Sequence, residues 1–133
     1  MISSTIRATI NCDIQKVWAA VTNINNYPLW RSDISGVEVV DDGQFVEFSK
    51  SGFTTEFIVT CCKPCECLEF DILNDNISGH WTGQFSKVDG GTGIVFTETV
   101  DTKKLIFKPF IKHYIKSQQK KFVNDLIKYL RKK

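Results

Sequence analysis

The chain has no apolar run approaching the ~20 residues that a membrane-crossing helix needs. Its opening, MISSTIRATINC, lacks the charged start and continuous apolar core of a secretory signal. A cytoplasmic protein with reduced thiols is the expectation. The five cysteines are an odd number and follow no secretion signal, which argues against a disulfide framework. Histidine is scarce. A Ser or Cys triad needs one within reach, and the chain has only His80, at the start of a strand on its predicted outer face, and His113, among Lys112 and Lys116. Neither is expected to be catalytic. Acidic residues are nearly missing from the C-terminal part: from Lys103 onward Asp125 stands alone against eleven Lys or Arg, whereas the preceding part has fourteen acids against six basic residues. The molecule should carry a strong dipole, basic toward its C-terminus. No aromatic residues are interleaved with those lysines as a stacking platform would require, so no nucleic-acid partner is expected.

What is present fits one domain over residues 1–133. The composition is 42% hydrophobic and 12% aromatic, too apolar for disorder and enough for one real core. Ile2 to Ile10 alternate as a half-buried strand does, with Ile2, Ser4, Ile6, Ala8 and Ile10 on one side. A helix follows, capped by Asn11 or Asp13, with Ile14, Val17, Trp18 and Val21 as its apolar stripe. NNYPLWRSDI reads as a second short helix, because Pro28 suits a first turn and Asn26 can cap it.

From Val37 to Asp101 the turn signals DDGQ, SKSG, CKPCE, NDNI and VDGGTG divide the chain into a meander of six further strands. A turn at Lys63 to Glu66 sets Cys62 opposite Cys67 and gathers Phe57, Val59, Cys61, Leu68, Phe70 and Ile72 on one face. The next turns add Trp81, Gly83 and Phe85 to that face, paired with Val100, Glu98 and Phe96, and Val37, Val39, Val46 and Phe48 extend it upstream. From about Lys108 the period becomes helical: Ile111, Ile115, Gln118, Phe122, Leu126 and Leu130 form one stripe, with Tyr114 and Tyr129 beside it.

TCCKPCECLEF packs four cysteines into seven residues, and CKPC has the spacing of half a zinc knuckle. The register opposes a four-thiolate site, since it turns Cys61 inward, Cys62 and Cys67 outward, and leaves Cys65 in the turn. A redox role would want CxxC at a helix start. The stretch is expected to be a hairpin turn around Pro64, without metal, in which Cys62 and Cys67 could pair adventitiously on oxidation.

The order strand, two short helices, six-strand meander, long C-terminal helix resembles the helix-grip fold of the START-like, or SRPBCC, superfamily. INCDIQKVWAAVTNINNYPLW looks like its opening strand and helix pair, GHWTGQFSKVDGGTGIVFTETV like its last hairpin, and FVNDLIKYLRKK like its helix end. Among the branches the chain looks most like the polyketide cyclase/dehydrase and lipid-transport group. The resemblance implies an α+β fold in which a bent seven-stranded antiparallel sheet wraps the long C-terminal helix and leaves a cavity between them. The cavity would be lined by Trp30, Phe48, Phe57, Phe70, Trp81, Phe85, Phe96 and Glu98, with Tyr114 and Gln118 from the helix. It implies binding or transport of a small hydrophobic ligand, such as a lipid, isoprenoid or polyketide-like compound. Two other activities exist in the superfamily: a cyclase or dehydratase, here using Glu98, and a protein-interaction module like the Hsp90-activator domains. No cofactor is implied.

Three charged features keep alternative readings. Glu98, turned inward with Gly83 opposite to leave it room, is either a carboxyl with a raised pKa able to move protons or a group meeting water at the open end of the sheet. Arg31 either meets an anionic head group at the cavity mouth or is an ordinary surface arginine. The stripe Lys108, Lys112, Lys116 and Lys120 either docks on an anionic membrane or is the solvated back of the helix.

Overall fold

The computed structural model describes residues 1–132. Its elements are β1 (Ile2–Ile10), α1 (Ile14–Thr22), a single 3₁₀ turn (Ile24–Asn26), α2 (Tyr27–Trp30), β2 (Ile34–Asp41), β3 (Gln44–Ser49), β4 (Thr54–Lys63), β5 (Cys67–Leu73), β6 (Ile77–Val88), β7 (Gly91–Thr102), a 3₁₀ segment (Leu105–Phe110) and α3 (Ile111–Arg131). All seven strands form one antiparallel sheet in the order β1-β7-β6-β5-β4-β3-β2. The first two strands in sequence therefore lie at opposite edges. The helix pair α1 and α2 spans that gap, and α3 packs against β1, β7 and both helices. This is the α+β helix-grip arrangement that the sequence implies.

Local chemistry accounts for the joints. The Asp13 carboxylate caps α1 by accepting from the Gln15 amide at 3.2 Å. Pro28 sits in the first turn of α2, where no amide is needed, but Asn26 makes no side-chain cap. Pro109 lies inside the 3₁₀ segment, so the regular helix begins only at Ile111. On the inner face of α3 the buried residues are Ile111, Ile115, Gln119, Val123, Leu126 and Leu130. Gln119 fastens the helix to the sheet: its Oε1 accepts from Ser4 Oγ at 2.9 Å, and its Nε2 donates to the Ser4 carbonyl at 2.8 Å.

Three registers differ from the sequence expectation. Trp81 faces Glu98, Gly83 faces Phe96 and Gly79 faces Val100, because β6 and β7 are joined by Asp89 and Gly90 alone, with Gly90 at φ 81°. The offset is two residues, so each side chain keeps its face. In β3 the parity is reversed. Phe45 and Glu47 are buried while Val46 is only half-buried and Phe48 is 36% exposed on the outer side. Phe45 stacks on Phe57 at 4.9 Å, and Glu47 finds a buried cation, so the inner face of this strand is set by long-range partners. In β4 an extra residue, Thr60, bulges between Val59, opposite Phe70, and Cys61, opposite Glu69. Beyond the bulge Cys62 faces Leu68 and Lys63 faces Cys67, so Cys62 and Cys67 are not opposite each other, and Cys61 turns to the outer face. The turn itself lies where expected, closed by the Glu66 amide on the Lys63 carbonyl at 2.9 Å, with Cys65 at φ 61°.

Candidate functional site

Between the inner face of β3 to β7 and the first half of α3 lies a cavity of about 580 Å³. Its wall is a run of contacting rings. Phe57, itself stacked on Phe45 outside the lining, meets Phe70 edge-on at 5.2 Å, Phe70 stacks on Trp81 at 4.8 Å, and Trp81 leans on Phe96 at 4.8 Å. Alternation along adjacent strands aims these rings inward, and ring pairs add stabilisation beyond area alone. Ile111, Tyr114, Gln118 and Phe122 close the helix side. The mouth lies between the β3–β4 turn, with Ser49 to Ser51 and Phe53, and the 3₁₀ segment, with Phe107 and Phe110. Phe53, Phe110 and Tyr114 are more than half exposed there.

Gly83 shapes the wall. A Cβ on it would sit 2.5 Å from Trp81 Cη2, so the missing side chain makes space for the indole. It does not make space for Glu98, which lies opposite Trp81. Because the ring is pinned between Phe70 and Phe96, Gly83→Ala is expected to lower unfolding free energy by about 1–3 kcal/mol and to shift the tryptophan fluorescence. Denaturation followed by fluorescence and by far-UV circular dichroism checks this, and an unchanged midpoint would refute it.

Two charged features penetrate the apolar surroundings. The first is an ion cluster at the β2–β3 end. Arg31 donates from Nη1 to Glu47 Oε2 at 2.6 Å, from Nη2 to Asp33 Oδ2 at 2.8 Å and from Nε to Asp33 Oδ1 at 3.2 Å. Its guanidinium also lies about 5 Å from the rings of Tyr27 and Phe122. Burial works against its charge, but Glu47 and Asp33 outweigh burial and raise its pKa. Burial likewise pushes the Glu47 carboxyl upward while Arg31 pulls it back. Arg31 is thus not a surface arginine, and three of its five N–H donors are taken by Glu47 and Asp33.

The second feature is Glu98. It projects from β7 opposite Trp81 on one side and Ser4 on the other. Among the described residues no hydrogen bond reaches its carboxyl. Burial, and secondarily the Glu47 charge, push its pKa up to about 7, with Arg31 opposing. It therefore populates both protonation states near neutrality and can either donate or accept.

Of the expected lining residues, Phe57, Phe70, Trp81, Phe96, Glu98, Tyr114 and Gln118 do surround the cavity. Trp30 is buried beside it, stacked on Tyr129 and edge-on to Phe122, with its Nε1 unpartnered among the described residues. Phe85 fills the far end against Trp18, and Phe48 lies outside. The sequence reading missed Glu47, Asp33 and Gln119. His113 is exposed, and His80 stands on the outer face, between Asp71 and Glu69.

No helix among the described residues is long and apolar enough to cross a membrane. No curated protein matches the sequence. Solved structures do match in shape. A START superfamily protein from Mycobacterium smegmatis superposes with a TM-score of 0.84 at 14% identity, over 98% of this chain and 97% of that one. A conserved protein from Geobacillus kaustophilus gives 0.86 at 10% identity, over 98% and 96%. DynU16, a protein of the dynemicin biosynthetic locus, gives 0.75 at 14% identity, over 97% of this chain and 47% of its own length. At such identities these likenesses establish the fold. The sequence itself matches the family model described as polyketide cyclase/dehydrase and lipid transport over residues 1–131, and the chain belongs to that family.

Proposed function

We propose that this protein binds and carries a small, largely apolar molecule, such as a lipid, isoprenoid or polyketide-like compound, with a hydroxyl, carbonyl or ether group turned toward Glu98. The observation that supports this best is an ionisable carboxyl set without a partner in an aromatic wall beside open volume. In a filled core that group would lose its hydration with nothing in return. A ligand oxygen supplies the missing hydrogen bond, and the rings supply the affinity. Ten methylenes removed from water contribute roughly 8 kcal/mol. That gross figure alone corresponds to a dissociation constant on the order of micromolar; the cost of association weakens it, and contact with the rings offsets part of that cost. Native mass spectrometry of protein purified without detergent tests the reading. A discrete extra mass that vanishes on denaturation supports it, and a clean apo mass that persists after incubation with a mixed lipid extract overturns it.

A second reading, a cyclase or dehydratase, rests on the same carboxyl, because a pKa near the working pH is what general acid–base catalysis requires. Glu98→Gln separates the two. Under catalysis it abolishes turnover while binding persists, whereas a carrier shows no turnover in either form.

Delivery would occur at the mouth. Leu105 and Ile106 are 82% and 75% exposed, Phe110 is 67% exposed, and Lys103, Lys104, Lys108 and Lys112 flank them. Apolar side chains beside lysines suit the interface of an anionic bilayer, where each lysine contributes about 1 kcal/mol. Vesicles containing phosphatidylserine are expected to bind the chain, and Leu105→Asp with Ile106→Asp to weaken that binding by at least about tenfold. Equal sedimentation of both proteins with the vesicles would refute the docking.

A further inference from the structure

On the face of the sheet turned away from the cavity, β4, β5 and β6 assemble a group of side chains that ligand binding does not use. The bulge at Thr60 puts Cys61 opposite Glu69. Cys67 precedes Glu69 by two residues on the same strand, so both emerge on one face. The two sulfurs and a Glu69 carboxylate oxygen all lie within 4.8 Å of one another, and all three residues are half-buried. Glu69 is also held in place. Its Oε1 lies 2.8 Å from His80 Nε2, and His80 Nδ1 lies 2.8 Å from Asp71 Oδ1. The other oxygen, Oε2, accepts from the Cys67 thiol at 3.5 Å.

We propose that Cys61, Cys67 and Glu69 form a binding site for one thiophilic divalent cation of the zinc class. Two sulfurs exclude Mg²⁺ and Ca²⁺, which take oxygen ligands, whereas Zn²⁺ accepts sulfur and carboxylate together. Zinc–sulfur and zinc–oxygen bonds of about 2.3 and 2.1 Å in a tetrahedron leave ligand atoms roughly 3.5–3.8 Å apart. The Cys67–Glu69 separation of 3.5 Å already has that value, and Cys61, within 4.8 Å of both, needs to close by at most about 1 Å. On binding, the two S–H protons leave to solvent as two metal–sulfur bonds form. Water completes the fourth position on this solvent-facing surface. His80, fixed by Asp71, acts as the outer partner that orients the liganding carboxylate. Cys62 faces Leu68 and Cys65 lies in the turn, so neither joins the site.

The test is titration of the reduced chain with Co²⁺, as a spectroscopic probe, and with Zn²⁺ by calorimetry. One equivalent is expected, with a thiolate-to-cobalt charge-transfer band in the near ultraviolet. Cys61→Ser and Cys67→Ser should each weaken binding by about tenfold or more and diminish the band, while Cys62→Ser leaves both unchanged. His80→Gln should weaken binding by about 10–100-fold with the band's intensity per bound metal retained, since both sulfurs remain. Far-UV circular dichroism confirms that each variant is folded. Absence of a charge-transfer band in the unaltered chain, or a band that survives in the Cys61→Ser/Cys67→Ser double variant, would overturn the proposal.

Discussion

Arg31→Met is expected to lower the unfolding free energy at pH 8 by about 3–5 kcal/mol, the cost of breaking a buried ion pair from one side. Methionine roughly replaces the stem that packs against Tyr27 and Phe122, so what is lost is the charge and its donors. Arg31 and Glu47 are about nine-tenths buried, at 9% and 11% side-chain exposure, and water cannot replace the missing donor in full. The penalty should shrink in acid, because an unpaired buried carboxylate takes up a proton in preference to staying charged. Urea unfolding at pH 8 and pH 5.5 measures both effects. A second substitution, Arg31→Met with Glu47→Leu, should recover a substantial part of the loss, because it removes the stranded charge as well. A loss below about 1 kcal/mol in the single variant at both pH values would show that the cluster is solvated and not a structural part of the cavity wall.

The same cluster marks where sequence reading stops. Between β4 and β7 the alternation is legible, since Phe70 and Trp81 sit between polar neighbours and Phe57 and Phe96 each have one polar neighbour. A two-residue slip such as the one between β6 and β7 still leaves every ring on its proper face. In β3 the stretch QFVEFS offers an aromatic ring on each parity, at Phe45 and at Phe48. The choice between them depends on Glu47 meeting Arg31, sixteen residues away in sequence, which no local pattern records. The bulge at Thr60 is equally silent, because threonine is an ordinary strand residue and nothing near it signals an extra residue. It nevertheless decides which way Cys61 points.

In α3 the helical period admits both Gln118 and Gln119 to the inner side. Tertiary contact then divides their roles, with Gln118 on the cavity and Gln119 hydrogen-bonded to Ser4. The fold was thus legible from element order and periodicity, and the aromatic wall from alternation. The ion cluster was not, because Glu47 meets Arg31 across sixteen residues, and the outer-face thiols were not, because the bulge at Thr60 leaves no mark in the sequence.

Glu98→Gln is expected to remove a pH dependence of stability that the unaltered protein shows. The folded state holds this carboxyl at about 7, up from an ordinary 4.5, chiefly because burial penalises the charged form. Between those two values the folded chain binds more protons than the unfolded one, so stability falls as pH rises. The contribution is fully present below about pH 4.5, declines through pH 7 and levels off above it, for a total on the order of 2–3 kcal/mol. Glutamine keeps the shape and carries no charge in either state. The difference between variant and parent should therefore be small at pH 5 and favour the variant by about 2 kcal/mol at pH 8. Comparing the two proteins isolates this residue from Glu47, whose own burial adds a pH dependence common to both. Equal slopes of unfolding free energy against pH in the two proteins would mean that water reaches Glu98 freely. The carboxyl would then lose its standing as the polar anchor for a ligand. A ligand that hydrogen-bonds to Glu98 should alter the slope in the parent alone, in a direction that reports which partner holds the proton: a bound hydroxyl donor favours the carboxylate and flattens it, and a bound carbonyl favours the acid and steepens it.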